Sequence, residues 1–294
     1  MSTPTMTPPT PPTSPTPPPL GSVPGDRPAH SAPASRVIAI MVISLGVVVA
    51  LFVAGSAIVS TVASGSVRTE TRTVAVNGID DLDVDISAGS VRVRYGEVDG
   101  ATLQVTGSTG AGAWTFERDE DTLQVSSPDS AFGFGWGIGG NGEAVLTLPA
   151  ALRRAALDGD FRLAAGELDL EGDFGELDLE VGAGSLSVEG SARTLTIDLS
   201  AGRADLDLSG VTTADFTVNA GAVEANLAGD PPRTVTIDVS AGGLELTMPD
   251  APYDVRATDT TAGDLTNELE TSSGARNTID VRVSAGSVEL LPAG

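Results

Sequence analysis

Carboxylates are the side chains on which any chemistry of this sequence must rest. Its 294 residues hold 40 Asp and Glu against 16 basic side chains, all of them Arg, for a formal charge of −24. There is no Cys, no Lys and a single His, His30. Without thiols or amines, and with its one imidazole far from any repeat, the chain cannot build a disulfide framework, a zinc–thiolate site, a Schiff base or a Ser-His triad. What carboxylates can do is hold a hard cation such as Ca²⁺, or work in pairs as acid and base in glycoside hydrolysis. So acidic a chain is a poor partner for nucleic acid, whose phosphates need basic contacts.

A second candidate is aromatic. Residues 131–142 read AFGFGWGIGGNG and place Phe132, Phe134 and Trp136 in one Gly-rich stretch. Aromatics on such a loop can stack on sugars or touch a membrane surface. Gly135, Gly137 and Gly140 match G-x-G-x-x-G, but a strand pattern follows them rather than a helix, which excludes a dinucleotide site.

The elements that position these groups emerge from a repeat. From residue 73 the hydrophobic pattern alternates with period two. An Ala-Gly pair recurs, with its glycines at Gly89, Gly166, Gly184, Gly202, Gly221, Gly242, Gly263 and Gly286. After the first, the spacings are 18, 18, 19, 21, 21 and 23 residues. Such a period signals stacked supersecondary units. Aligned on that Gly, the columns five and three residues before it, and two and four after it, are apolar in nearly every repeat. Each repeat therefore predicts a short strand, a corner and a second strand, with alternate side chains pointing inward. The expected fold is all-β: a parallel β-helix or solenoid with coils of about 18–23 residues. The Gly is expected at φ > 0. The repeat of Gly263 puts Thr258 and Thr260 in core columns, so that coil is expected to be weak or displaced. Residues 73–150 are less regular, with strands expected at 101–105, 113–117, 122–125 and 143–148, and Trp114 and Phe116 in the core. They are expected to form the entry end.

On this frame the outward columns are acidic. Asp205, Glu224 and Glu245 fall on three successive coils, about 5 Å apart, and Asp198 and Asp238 lie in a column on the preceding strand. Stacked carboxylates repel by roughly 1 kcal/mol per neighbouring pair in water, and a divalent cation would relieve that. These five are the candidate metal ligands, with Ca²⁺ the cofactor they would suit. No EF-hand or RTX nonapeptide pattern accompanies them. Inserted loops that could wall a catalytic cleft are nearly absent from the repeats, so an enzyme is not expected and no catalytic residues are assigned.

The Ser-Ala-Gly-Ser and Ser-Ala-Gly-Gly corners, the run Val145-Leu146-Thr147-Leu148-Pro149 and the closing Val281-Arg282-Val283-Ser284-Ala285-Gly286-Ser287-Val288-Glu289 resemble the bacterial "putative adhesin" β-solenoid family. The resemblance covers about residues 73–294. It implies an extracytoplasmic domain of unassigned function and brings no catalytic residues.

Upstream lie two other segments. Residues 1–36 hold 12 of the 19 prolines and are expected to be a disordered, polyproline-II-like tail. Val37–Val59 carries no charge over 23 positions, long enough at about 1.5 Å per residue to span a bilayer. The expected organisation is thus a tail (1–36), a transmembrane helix (37–63), a linker (64–72), an irregular β entry region (73–150) and solenoid repeats (151–294). Flanking Arg counts nearly tie, with Arg27 and Arg36 before the span and Arg68 and Arg72 after it. A lone N-terminal anchor with a large C-terminal domain favours a cytoplasmic tail and an extracytoplasmic solenoid. The expected function is a non-enzymatic binding, adhesin-like or envelope-scaffold role. Its partners would be the membrane through residues 37–59, a cell-wall or surface polymer, and other copies through the solenoid ends, chiefly the final strand Val288–Pro292. The alternatives are a lyase- or hydrolase-like carbohydrate-active β-helix and a cation-binding surface module.

Overall fold

A computed structural model describes residues 68–107, 111–128, 142–259 and 262–293. The expected tail (1–36), the expected membrane span (37–63) and the Phe132, Phe134 and Trp136 stretch lie outside the described residues. Among the described residues no helix is long and apolar enough to cross a membrane.

The described chain is a β-solenoid, and the alternating pattern explains why. Each coil has two strand arms joined at the Ala-Gly corner, and alternate residues of both arms point into one continuous core. In the column five before the Gly, Val84, Phe161, Leu179, Ile197, Phe216, Ile237 and Val281 are all buried, and the other three columns are buried likewise in every coil but that of Gly263. A single coil cannot enclose these side chains. Stacking coils in parallel register buries them while pairing every backbone amide of an arm with its copy.

The middle of the stack follows the sequence. β8 (Leu157–Ser209) runs unbroken through several corners. It pairs in parallel with β9 (Thr213–Ala228) at an offset of 19 residues, as in Thr194 opposite Thr213. β9 in turn pairs with β10 (Thr234–Val239) and β11 (Gly243–Met248), the two arms of the next coil.

Both ends depart from sequence order. At the entry end β2 (Asp81–Ile86) and β3 (Gly89–Gly96) lie directly on β8, with Gly89 opposite Gly166. The coil formed by β6 (Thr122–Ser126) and β7 (Glu143–Pro149) then stacks outside them. This detour accounts for the long gap between Gly89 and Gly166. β4 (Ala101–Gly107) and β5 (Thr115–Asp119) add antiparallel to β7 and β6, and β1 (Arg68–Val74) adds antiparallel to β4 as the edge. Residues 68–72, expected as linker, thus belong to a strand. β1 turns Glu70 and Arg72 to the core side, opposite Val105 and Leu103. There the Arg72 guanidinium donates to the Trp114 carbonyl at 2.8 Å, and the Gly112 amide donates to the Glu70 carboxylate at 3.2 Å. These contacts hold the 3₁₀ turn Ala111–Ala113 and buried Trp114 over the core. Inward charges on an edge strand are a device against further stacking.

At the far end β12 (Tyr253–Asp259) and β13 (Asp264–Asn267) do not sit on β10 and β11. That place is taken by β14 (Asn277–Val283) and β15 (Ser287–Pro292). β12 and β13 close the stack from outside. The Gly263 coil is therefore displaced, as its threonines foretold, but Thr258 is not in the core column. A β-bulge between Ala257 and Asp259 sets Ala257 opposite Val281 and leaves Thr258 as the extra, exposed residue. The expected open end at Val288–Pro292 is likewise corrected. β15 is covered by β13 over Ser287–Leu290, because the chain returns to insert its last coil beneath the one before it.

Candidate functional site

The second arms carry an uninterrupted acidic ladder. Asp205 is opposite Glu224, Glu224 opposite Glu245, and Glu245 opposite Glu289. Sequence spacing supplied the first three. Glu289 joins only because β15 stacks on β11, 44 residues further along. All four are outward and exposed, since their neighbours on either side in the strand fill the core. At the entry end of this arm the row changes sign: Arg92 forks onto Asp169 at 2.8 and 3.1 Å.

Asp198 and Asp238, the other two expected ligands, lie on the first arms and are not brought together. Thr217 stands between them in register. Asp238 instead accepts from Arg282 of β14 at 2.9 Å, and Asp198 accepts from the Asn219 amide at 3.4 Å. Among the described residues no three acidic or imidazole side chains converge on a point that could hold a metal ion. The ladder is a line of carboxylates, not a cage.

The first-arm face is also acidic, and crowding there is felt by its carboxyls. Burial first, then the neighbouring Asp121 and Asp158, pushes Asp81 up; burial, relieved in part by Arg162, pushes Asp83 up. Asp198 is raised by burial and then Glu180, and Asp215 by burial and then Asp238. A carboxyl with a raised folded-state pKa binds its proton more tightly folded than unfolded. Its contribution to stability therefore grows as pH falls through the raised value and is complete below the unfolded value of about 3.9. Asp254 is held low by the Arg256 guanidinium and the Gly274 amide, which both donate to it, and opposes only at still lower pH. We expect the melting temperature to rise as pH is lowered from 7 towards about 4.5. Calorimetry across that window checks it, and a monotonic fall would refute the assignment.

An open hollow of about 480 Å³ lies at the entry end, lined by Asp85, Ala113, Thr115, Ser126, Ser127 and Pro128. Its hydroxyl of interest, Ser127, is buried and accepts from the Ser87 amide at 2.7 Å. With the Ser127 amide donating to the Asp85 carbonyl at 2.9 Å, these contacts tie β6 to the β2 corner. Nearby, burial and Asp173 push the Tyr95 hydroxyl up to about 12, and the Arg153 guanidinium lies 5.0 Å from its ring centre.

The model of the Toastrack family, DUF4097, matches residues 79–291. No curated protein matches the chain. Several solved structures resemble it at low identity. A "putative cell adhesion protein" of Clostridium sporogenes is 13% identical, with 78% of this chain and 100% of that one covered and a TM-score of 0.34. A "putative adhesin" of Bacteroides fragilis is 14% identical over 76% and 97% of the two chains, with a TM-score of 0.34. A "putative lipid binding protein" of Parabacteroides distasonis is 12% identical over 76% and 98%, with a TM-score of 0.39.

Proposed function

The chain belongs to the Toastrack family, and on that footing we propose that it is a membrane-anchored, extracytoplasmic binding module without catalytic activity. The observation that carries this reading is the lateral ladder Asp205–Glu224–Glu245–Glu289. It is a charged, regularly spaced row of exposed carboxylates, suited to a repeating polymer. The apolar stretch 37–59 supplies the anchor, with the Pro-rich tail in the cytoplasm and the solenoid outside. A cell-wall or surface polymer is the partner class. Cationic groups on the polymer, or a shared divalent cation such as Ca²⁺, would meet the ladder. The segment between β6 and β7, with Phe132, Phe134 and Trp136, would add stacking contacts.

The test is a pull-down of the full chain in detergent with purified cell-wall material, with EDTA and then with Ca²⁺. A variant with Asp205→Asn, Glu224→Gln, Glu245→Gln and Glu289→Gln is expected to lose at least about tenfold in affinity, since each lost charged contact is worth roughly 0.5–1 kcal/mol. A Phe132→Ala, Phe134→Ala, Trp136→Ala variant is expected to lose a similar factor. Unchanged binding in both would sink the assignment. Binding of the parent chain that needs Ca²⁺ and is abolished by EDTA would favour the cation-bridged form.

A further inference from the structure

The open hollow at the entry end is built on one row of side chains. Three strands run side by side there, with β2 parallel to β6 and β6 antiparallel to β5. Their outward residues in register are Asp81, Thr122 and Asp119, then Asp83, Gln124 and Glu117, then Asp85, Ser126 and Thr115. The first two rows hold a carboxylate at each end. The third holds one carboxylate and two hydroxyls, spread over about 10 Å at the usual strand spacing. This third row lines the hollow of about 480 Å³, together with Ala113, Pro128 and buried Ser127.

Two groups in this lining have hydrogen-bonding capacity left over. Asp85 is exposed, and among the described residues its carboxylate meets no donor. Arg162, opposite it on β8, turns instead to Asp83 and Asp160, at 3.4 and 3.2 Å. Ser127 is only 8% exposed. Its Oγ accepts from the Ser87 amide at 2.7 Å and its own amide donates to the Asp85 carbonyl at 2.9 Å, so the residue is held from both sides. The O–H of Ser127 has no acceptor among the described residues. A hydroxyl that is buried, held in place and unused as a donor costs free energy unless something in the hollow supplies the acceptor.

We propose that this hollow is a sugar site that takes one neutral pyranose unit of a surface polysaccharide. Vicinal hydroxyls of the sugar donate to the Asp85 carboxylate. The Ser127 hydroxyl donates to a sugar oxygen, and those of Ser126 and Thr115 donate or accept as the sugar requires. The lining holds no basic side chain to draw an acidic ligand, and its hydroxyls suit a polyol better than an apolar molecule. Its volume falls within the range of small-ligand sites, about 300–1,000 Å³. The site gives a chemistry to the polymer partner proposed above. It lies on the first arms, however, while the acidic ladder lies on the second, so either can fail without the other.

A ligand-observed NMR titration of the full chain, kept in a detergent without a sugar headgroup, tests this. The probes are methyl glucoside, methyl galactoside, N-acetylglucosamine and glucosamine. Saturable binding of at least one of the three neutral sugars is expected, with a dissociation constant of about 1–10 mM. Asp85→Asn keeps the shape but replaces the charged acceptor, and should weaken that binding at least about tenfold. Thr115→Val removes one exposed hydroxyl and should weaken it about threefold. A thermal melt matching the parent shows that each variant is folded. The variant with all four ladder carboxylates replaced should bind the sugar as the parent does. No saturation by any neutral sugar up to about 50 mM would overturn the site. So would unchanged affinity in Asp85→Asn, or loss of sugar binding in the ladder variant. Binding confined to glucosamine and abolished by about 0.5 M NaCl would mean that Asp85 takes an ammonium group, and would overturn recognition through hydroxyls.

Discussion

Gly202→Ala is expected to destabilise the solenoid by more than about 3 kcal/mol, a loss of roughly 10 °C in melting temperature for a domain of this size. Two causes coincide at this corner. Gly202 has φ +131°, where a Cβ is strained, and that Cβ would overlap the carbonyl oxygen of Gly184 in the coil below. Backbone on backbone cannot move aside without breaking the register of both coils. Two further substitutions separate the causes. Gly221 lacks the positive φ, but its added Cβ would meet the Gly202 carbonyl oxygen at 2.6 Å; Gly221→Ala should cost about 2 kcal/mol. Gly210 has φ +75° with nothing within 4 Å; Gly210→Ala should cost only about 1 kcal/mol. Urea melts of the three variants give the ranking. Equal losses at Gly202 and Gly210 would show that backbone conformation alone, not the approach of stacked coils, demands glycine at the corner.

Phe216→Ala should cost about 3–5 kcal/mol, since the ring is completely buried in the middle of the stack and its removal leaves a cavity that neighbouring coils cannot fill. Thr258 occupies the same column, five residues before its corner Gly263, in the spacing of the sequence. Thr258→Ala should nonetheless cost no more than about 1 kcal/mol, because the bulge has moved this side chain to the exposed side, where it keeps only a long hydrogen bond of 3.4 Å donated to the Val281 carbonyl. Denaturant midpoints of the pair check the contrast. A Phe216→Ala protein as stable as the parent would mean that the central coils are not the continuous core described above. A large loss at Thr258 would mean that the bulge is wrongly placed.

The aligned columns bear on what could be read in advance. Inward and outward positions follow from the period of a strand, so Val84, Phe161, Ile197 and Ile237 are recognisable as core without any structure. Trp114 and Phe116 likewise are buried as expected. The corner glycines were legible as a column, but the reason for them was not. Four of them, Gly89, Gly166, Gly184 and Gly202, have the expected positive φ. At Gly221, Gly242 and Gly286 the requirement is the room taken by the glycine of the neighbouring coil. That is a contact between residues about twenty or more positions apart.

The ladder divides in the same way. Asp205, Glu224 and Glu245 are adjacent in the stack because their coils are consecutive in the chain, and spacing alone puts them side by side. Glu289 and Arg282 could not be placed by spacing. They reach Glu245 and Asp238 because β14 and β15 insert beneath β12 and β13. The sequence by itself determined the local alternation, the two-arm coil with its corner, the acidic outer columns and the weakness of the Gly263 repeat. These depend on side-chain period and backbone sterics within about twenty residues. Only the tertiary structure decided the order of the end coils and which edge the stack presents. A parallel strand pairs equally well in backbone terms with the coil before or after it, so that choice rests on which coil can afford to leave one face uncovered. Here the coil with a bulge, Thr258 and Asn267 goes outside, and the last apolar coil is enclosed.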